Sequence, residues 1–557
     1  MPRDPLADVT TLRTPQTQPI PGRTDQVSNA AGGYVFAKDT FTRLEDFLIL
    51  GTTGGTYYVG EKELTLDNVP VVFGAVAQDG PRAVALAVDV SASRPPRAPR
   101  NEPALFLLAA AITRGDLDTR RAARLALPKV ARTTNHRAAF FGYWKNLHGK
   151  PAGRNGSAPK TGRVVRGALG DLLLAGEPDD IAFSACKAMA RKTPTGEPFA
   201  LRDLLRLGHP QADSEARRAL FGWIAGNVAD EQARAALPSV DRFLAAKSVT
   251  TPAQAVRVVT EQKVPWEFLP DAVLTSPQVW EALVDTVGMT ALIRNLARMT
   301  RIGALRPMGD ATRRAAGWLT DAQSLAKGRI HPFDVFLALR VYASGRAQPN
   351  PRAQVQTWAP VPAVLDALEE SYELSFGNVQ PSGRRLLVAV DSSGSMGGAW
   401  GARVAVGGSP LGSPYEIGCA MAVIMARIER GNVHVIDVDT AVRPSRVTGR
   451  TNLREVAAWS PSGGGTDLSL PYAWARRERL NVDGVLVLTD NETWAGRAHP
   501  VQEFAAYRAQ VNPNARTVVA AMTATGRSIA DPGDPGALNI AGFDASLPQL
   551  VTGFIRG

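Results

Sequence analysis

Cysteine is nearly missing: Cys186 and Cys419 are the only two in 557 residues. That excludes a disulfide framework and a cysteine-rich zinc module, and it points to a reducing compartment. Long apolar runs are missing too. The longest wholly apolar stretch, Ala104–Ile112, is far too short to span a bilayer. The stretch from Met1 to Asn29 is polar, with Pro and Thr throughout, and has none of the apolar core of a secretory leader. A soluble, cytoplasmic, monomeric protein without a membrane partner is expected. No G-x-S-x-G, P-loop, C-x-x-C or H-E-x-x-H occurs, so the familiar nucleophile, phosphate-cradle and metalloprotease signatures are absent. The chain is expected not to be an enzyme.

What is present is an ordinary globular balance, 45% hydrophobic and 21% charged. Disorder is excluded for most of the chain, and the length allows two to four domains. Lys and Arg exceed Asp and Glu by 63 to 52, a net charge of +11. Residues 113–170 alone hold 13 basic residues against Asp116 and Asp118, again +11, so the remainder is close to balanced. A clustered field of one sign attracts a polyanion.

Two grammars divide the chain. From about Thr40 to Ser344 the apolar spacing is helical: Phe140, Tyr143, Trp144 and Leu147 fall on one helix face, as do Leu292, Ile293, Leu296 and Met299. Such faces are core rather than base-stacking platforms. Prolines punctuate this region at short intervals, which suits short paired helices stacked as an α-solenoid. Residues 346–362 are Pro-rich and predict a linker, followed by a helix near Val364–Phe376. Beyond it, apolar strands at Leu386–Val390, Val433–Val438, Gly484–Leu488 and Thr517–Met522 alternate with helical segments. That pattern predicts a doubly wound parallel sheet, whose ligands sit at the carboxyl ends of the strands.

Those ends carry the chemistry. Asp391-Ser-Ser393-Gly-Ser395 follows the first strand, Gly463-Gly-Gly-Thr466 precedes Asp467, and Asp490 follows Thr489 after another strand. Two carboxylates and three hydroxyls from three loops suit one hard ion. Mg²⁺ takes oxygen ligands, keeps waters and needs only one or two carboxylates. Asp391, Ser393, Ser395, Thr466 and Asp490 are the candidate ligands, with a position left open for a partner's carboxylate. Two-metal catalysis needs a richer carboxylate cluster than Asp391 and Asp490 supply.

The motifs resemble a known family. The last part is similar to a von Willebrand factor A domain with a metal-ion-dependent adhesion site. Gly32-Gly-Tyr-Val-Phe-Ala37, Phe47 through Tyr58, Leu201 through His209, Thr290 through Leu296 and Arg329-Ile-His-Pro-Phe333 resemble the TROVE domain. Gly464 through Pro471, Thr489 through Gly496 and Ile529-Ala-Asp-Pro532 resemble the A domain of the Ro family. The resemblance implies an all-α ring of HEAT-like helical repeats over residues 28–363, an α/β A domain over 364–557, and a flexible segment over 1–27. It implies Y-like small noncoding RNA on the outer surface and the single-stranded 3′ ends of misfolded RNA in a central hole, for RNA quality control and stress response. An exoribonuclease such as polynucleotide phosphorylase is an implied partner.

The basic cluster fits that implication from below, because Lys and Arg release condensed counterions from phosphates. Candidate RNA-binding residues are Arg120, Arg121, Arg124, Arg132, Arg137, Lys145, Lys160, Arg163 and Arg166, with Lys187, Arg191, Lys192 and His209. The resemblance places His209 where the family has an RNA-contacting histidine. The alternative is a metal-dependent protein-adhesion module in which RNA binding is secondary.

Overall fold

The computed structural model describes residues 13–50, 61–92, 101–148, 162–190, 201–347, 354–397, 404–406, 409–456, 458–521, 527–541 and 547–557. Short helices fill the chain from Thr40 to Ala343. The prolines that punctuate the sequence begin them. Pro238, Pro252, Pro277 and Pro332 each open a helix, where the fixed φ fits and no N–H is lost. Side-chain caps close other ends: Asp116 accepts from the Thr119 N–H, and Thr251 with Gln254 forms a capping box.

Consecutive helices pack on one another, and the buried helix Glu102–Arg114 lies against Glu61–Ala92, Leu117–Val130 and Thr134–His148. Phe140, Tyr143 and Trp144 are buried there, as their spacing predicts. Tyr143 meets Phe106 edge-on, and Trp144 stacks on His148. One helix, Pro70–Ala92, has the length and hydropathy of a membrane span. It bends at Asp79 and packs against the helices Thr40–Leu50 and Glu102–Arg114.

The helical circuit starts and ends on the same body. The helix Thr40–Leu50 touches the strand Ala537–Ala541, and the helix Pro332–Ala343 touches Pro414–Ile428. An Arg340–Glu416 ion pair of 2.5 Å, its carboxylate buried, ties the second junction. A ring closed by the α/β domain follows from these two seams.

The α/β domain is built on a six-stranded sheet. In spatial order it runs Ala537–Ala541, Arg516–Ala521, Gly484–Thr489, Leu386–Asp391, Val433–Val438 and Val442–Pro444. The first five are parallel and the last is antiparallel. Leu386–Asp391 and Gly484–Thr489 are buried along their whole length, which explains their unbroken apolar sequence.

Three expectations change. The N-terminal segment marked as flexible is a strap from Arg13 onward. Its hairpin, Gln26–Ser28 with Tyr34–Ala37, pairs with Arg527–Ser528, so it belongs to the A domain rather than to a tail. The Pro-rich run at 346–362 is not a plain linker. Arg346–Ala347 pairs with Gln356–Thr357, and Trp358 donates its indole N–H to the Tyr342 carbonyl at 3.0 Å. The helix Pro362–Ser375, grouped by sequence with the A domain, packs on the last helices of the circuit.

Candidate functional site

Parallel strands in register deliver the donors to one edge. Leu386–Asp391 and Gly484–Thr489 are neighbours, so Asp391 and Asp490 emerge from adjacent carboxyl ends. Main-chain hydrogen bonds lock the three loops together. Gly394 N–H donates to the Gly464 carbonyl at 3.1 Å, and Gly463 N–H to the Ser392 carbonyl at 2.9 Å. Trp494 and Ala495 N–H both donate to the Thr466 carbonyl at 3.0 Å. Gly463 and Gly464 have φ of +86° and +95°, a left-handed turn that a side chain would strain.

Asp391 is fully buried. It accepts from the Ser393 N–H at 2.9 Å and from the Thr489 hydroxyl at 2.6 Å. Ser393 and Ser395 hydroxyls lie 3.2 Å apart, and Ser395 also bonds Asp490. Burial, then the neighbouring Asp490 charge, pushes the Asp391 carboxyl well above the usual carboxylate range; burial raises Asp490 as well. Two desolvated carboxylates beside three hydroxyls form an all-oxygen set of the kind a hard cation takes. Among the described residues no group of three His, Cys, Asp or Glu is placed to hold a metal, so this set rests on two carboxylates and its hydroxyls.

Sequence reasoning missed the support. Asp439, at the end of the next strand, is buried, bonds Arg443 at 2.5 Å and accepts from the Ser462 hydroxyl at 2.9 Å. Its position directly after the strand Val433–Val438, at the same carboxyl edge, is the signal that would have found it. Gln16 had no such signal. Fully buried, it donates to Asp467 at 2.9 Å and accepts from the Thr493 hydroxyl at 2.7 Å.

The basic cluster separates into two groups. Several candidates are struts between helices. Arg124 forks onto Asp171 at 2.8 and 3.2 Å. Arg137 donates to the Ala175 carbonyl at 2.8 Å, and Arg132 to the Ser91 carbonyl at 3.1 Å. Arg120 reaches the Thr113 carbonyl and Lys187 pairs with Glu267 at 3.1 Å, whereas Arg121 only meets Asp118 on the exposed face of its own helix. Lys145 is exposed at the end of its helix. Lys160, Arg191 and Lys192 lie outside the described residues.

Arg163, Arg166 and His209 form the second group, all exposed. Arg163, Arg166 and Gly170 share one helix face by their spacing. Gly170 meets Gly208 so closely that a Cβ on Gly208 would lie 2.6 Å from the Gly170 nitrogen. That contact sets His209, which ends the helix Leu201–Gly208 with a φ of +46°, about one turn beyond Arg166. Among the described residues, the circuit therefore presents two guanidinium groups without an acidic partner and an imidazole along one ridge.

A closed helical-repeat ring joined to a von Willebrand factor A-type domain defines a narrow class. The family models agree. A Ro60 von Willebrand factor A domain matches residues 385–555 and a TROVE domain matches residues 238–353. The chain is 36% identical to the RNA-binding protein RO60 of Deinococcus radiodurans, over 99% of both chains. It is 30% identical to the RNA-binding protein RO60 of Caenorhabditis elegans, over 96% of this chain and 90% of that one. The crystal structure of the Deinococcus radiodurans RO (RSR) protein superposes with a TM-score of 0.74, covering 93% of this chain and 100% of that one. This chain belongs to the RO60 family.

Proposed function

We propose that the chain is an RNA-binding scaffold and not itself a nuclease. The observation that carries this reading is the exposed ridge of Arg163, Arg166 and His209, without acidic partners among the described residues, within a stretch of net charge +11. The relatives named RNA-binding proteins support it. A Y-like small noncoding RNA lies along this outer basic face, and single-stranded 3′ ends of misfolded RNA enter the ring. The setting is cytoplasmic RNA processing and quality control, with an exoribonuclease such as polynucleotide phosphorylase as the acting partner. Affinity for a structured small RNA, measured across a salt series, tests the reading. A steep negative slope of log affinity against log salt is expected, and a flat slope or no binding overturns it.

A second reading is favoured by the oxygen donors. Mg²⁺ would be held by Asp391, Ser393, Ser395, Thr466 and Asp490, directly or through water, and would supply a positive charge able to take a partner's carboxylate. The chain's own residues hold these groups in place: Asp391 is anchored by Thr489 and the Ser393 N–H, and Thr466 by the loop Trp494–Ala495. The A domain then recruits a protein while the helical ring carries RNA.

A further inference from the structure

A groove of about 800 Å³ runs along the seam between the helix Pro362–Ser375 and the outer part of the A domain. Its floor is aliphatic, formed by Ala426, Val433, Val435 and Val447. Arg427 lies within it but is committed. It pairs with Glu373, donates to the Thr451 carbonyl at 3.1 Å, and covers the rings of Tyr372 and Phe376. Arg430 and Arg450 line the same groove and are exposed. Among the described residues, neither guanidinium meets a carboxylate.

The strand beside this groove has a half-open edge. Val433–Val438 pairs along its full length with Leu386–Asp391 on one side. On the other side its neighbour, Val442–Pro444, covers only Ile436–Val438. The Leu386 N–H donates to the Asn432 carbonyl at 2.8 Å, so residues 432 and 434 turn inward and the main chain of Val433 and Val435 turns outward. Those outward groups stand at the edge of the sheet, next to an aliphatic floor and two unmatched positive charges.

We propose that this groove takes an extended acidic peptide segment of a partner protein, added as a strand beside Val433–Val435. Main-chain hydrogen bonds to the open edge supply affinity, aliphatic side chains fill the floor, and carboxylates meet Arg430 and Arg450. The groove's chemistry favours a peptide over nucleic acid. Unpaired bases need an aromatic face, and the ring in this groove, Phe376, is already covered by Arg427 and Tyr372. A backbone edge has no counterpart in RNA recognition by phosphate contacts. The RNA-bearing ridge at Arg163 and Arg166 is a separate surface, on the helical circuit.

The test uses the full chain and a labelled heptapeptide, Glu-Glu-Val-Thr-Val-Glu-Glu with blocked ends, read by fluorescence anisotropy. Binding is expected to weaken at least tenfold with Lys in place of Glu. It is expected to weaken at least tenfold again when alternate peptide nitrogens are methylated, which removes ladder donors and keeps every side chain. The exposed double variant Arg430→Glu/Arg450→Glu should melt like the parent and lose the acidic peptide. Equal binding of the methylated peptide overturns strand addition, and equal binding to the double variant overturns the site. If the double variant loses a uridine oligonucleotide and the peptide never binds, the groove is a nucleic-acid surface and the proposal falls. If the double variant changes the sedimentation of the chain alone, the occupant is a second copy and the proposal also falls.

Discussion

Gln16 and Asp467 are 451 residues apart in sequence and joined by a 2.9 Å hydrogen bond in a buried site. The same amide side chain also donates to the Ala498 carbonyl at 2.9 Å and accepts from Thr493. Asn29, in the same strap, donates to the Thr493 carbonyl at 2.9 Å. The start of the chain thus fastens the two loops that carry Thr466 and Asp490. Gln16→Ala leaves Asp467, Thr493 and Ala498 short of partners in a buried place, where each unsatisfied group is costly. A loss of about 2–3 kcal/mol in unfolding free energy is expected, read by urea titration. Weaker Mg²⁺ binding should accompany it, because the loops lose their fastening. Full stability in the variant would show that the strap is ornamental.

That relationship also marks where sequence reading ends. The four central strands were legible, and so was the meeting of the loops of Asp391, Ser393, Ser395, Thr466 and Asp490 at one edge, because strands buried on both faces read as apolar runs and their carboxyl ends share that edge. The strand Val442–Pro444 was not legible, since it is three residues long and mostly exposed at the sheet edge. Ala537–Ala541 is also an edge strand, with a polar Asn539 at its centre. Gln16 is invisible in principle: a lone polar residue in a Pro- and Thr-rich segment looks solvated until the fold buries it. The basic cluster was legible as charge but not as geometry. Nothing in the spacing of Arg124 or Arg137 reveals that Asp171 and the Ala175 carbonyl hold them.

The proposed Mg²⁺ site and the ring should be separable. Asp391→Ala removes the most buried donor at the centre of the three loops. Loss of Mg²⁺ binding by calorimetry is expected, with loss of any Mg²⁺-dependent protein contact. RNA affinity should change less than about twofold, since the exposed basic ridge lies on the helical circuit. If the proposed ion is bound in the parent, a chelator should lower the melting temperature, because an ion that binds only the folded site stabilises it. If a still-folded Asp391→Ala variant loses RNA as well, the two halves work as one site.

His331 gives the fold a pH dependence on the acid side. Its ring is buried at the start of the helix Pro332–Ala343, and among the described residues neither ring nitrogen has a hydrogen-bond partner. Burial alone pushes it down to about 4. In the unfolded chain it titrates near ~6.5. Between those values the unfolded chain takes up a proton that the folded chain refuses. Stability is therefore expected to fall as pH drops through that window, by about 3 kcal/mol over the whole of it. His331→Leu removes the proton acceptor and keeps an apolar contact. At pH 5 it should be more stable than the parent by about 2 kcal/mol, and at pH 7.5 the advantage should shrink toward the packing difference. Parallel stability–pH curves for the two proteins would show that His331 is not the group responsible.

Arginines in the basic stretch should divide by experiment as they divide by contact. Arg163 and Arg166 are exposed on the ridge beside His209, and charge reversal there changes what RNA sees without touching a strut. Arg163→Glu/Arg166→Glu should weaken RNA binding at moderate salt and flatten the salt slope by about 1.4–1.8, two phosphate contacts' worth. Melting should be unchanged. Arg137→Ala should do the reverse. Its guanidinium is half-buried and holds the Ala175 carbonyl at 2.8 Å, so its removal should cost about 1–3 kcal/mol of stability and leave the salt slope alone. Arg124→Ala sits between them. Its bidentate pair with Asp171 is partly exposed, so the stability cost should stay under about 1 kcal/mol, while Asp171, freed of its partner, adds a negative charge close to Gly167 on the ridge helix. A modest loss of affinity with little loss of stability is the expected signature. A variant in which Arg137→Ala flattens the slope more than Arg163→Glu/Arg166→Glu would move the RNA face to the inner side of these helices.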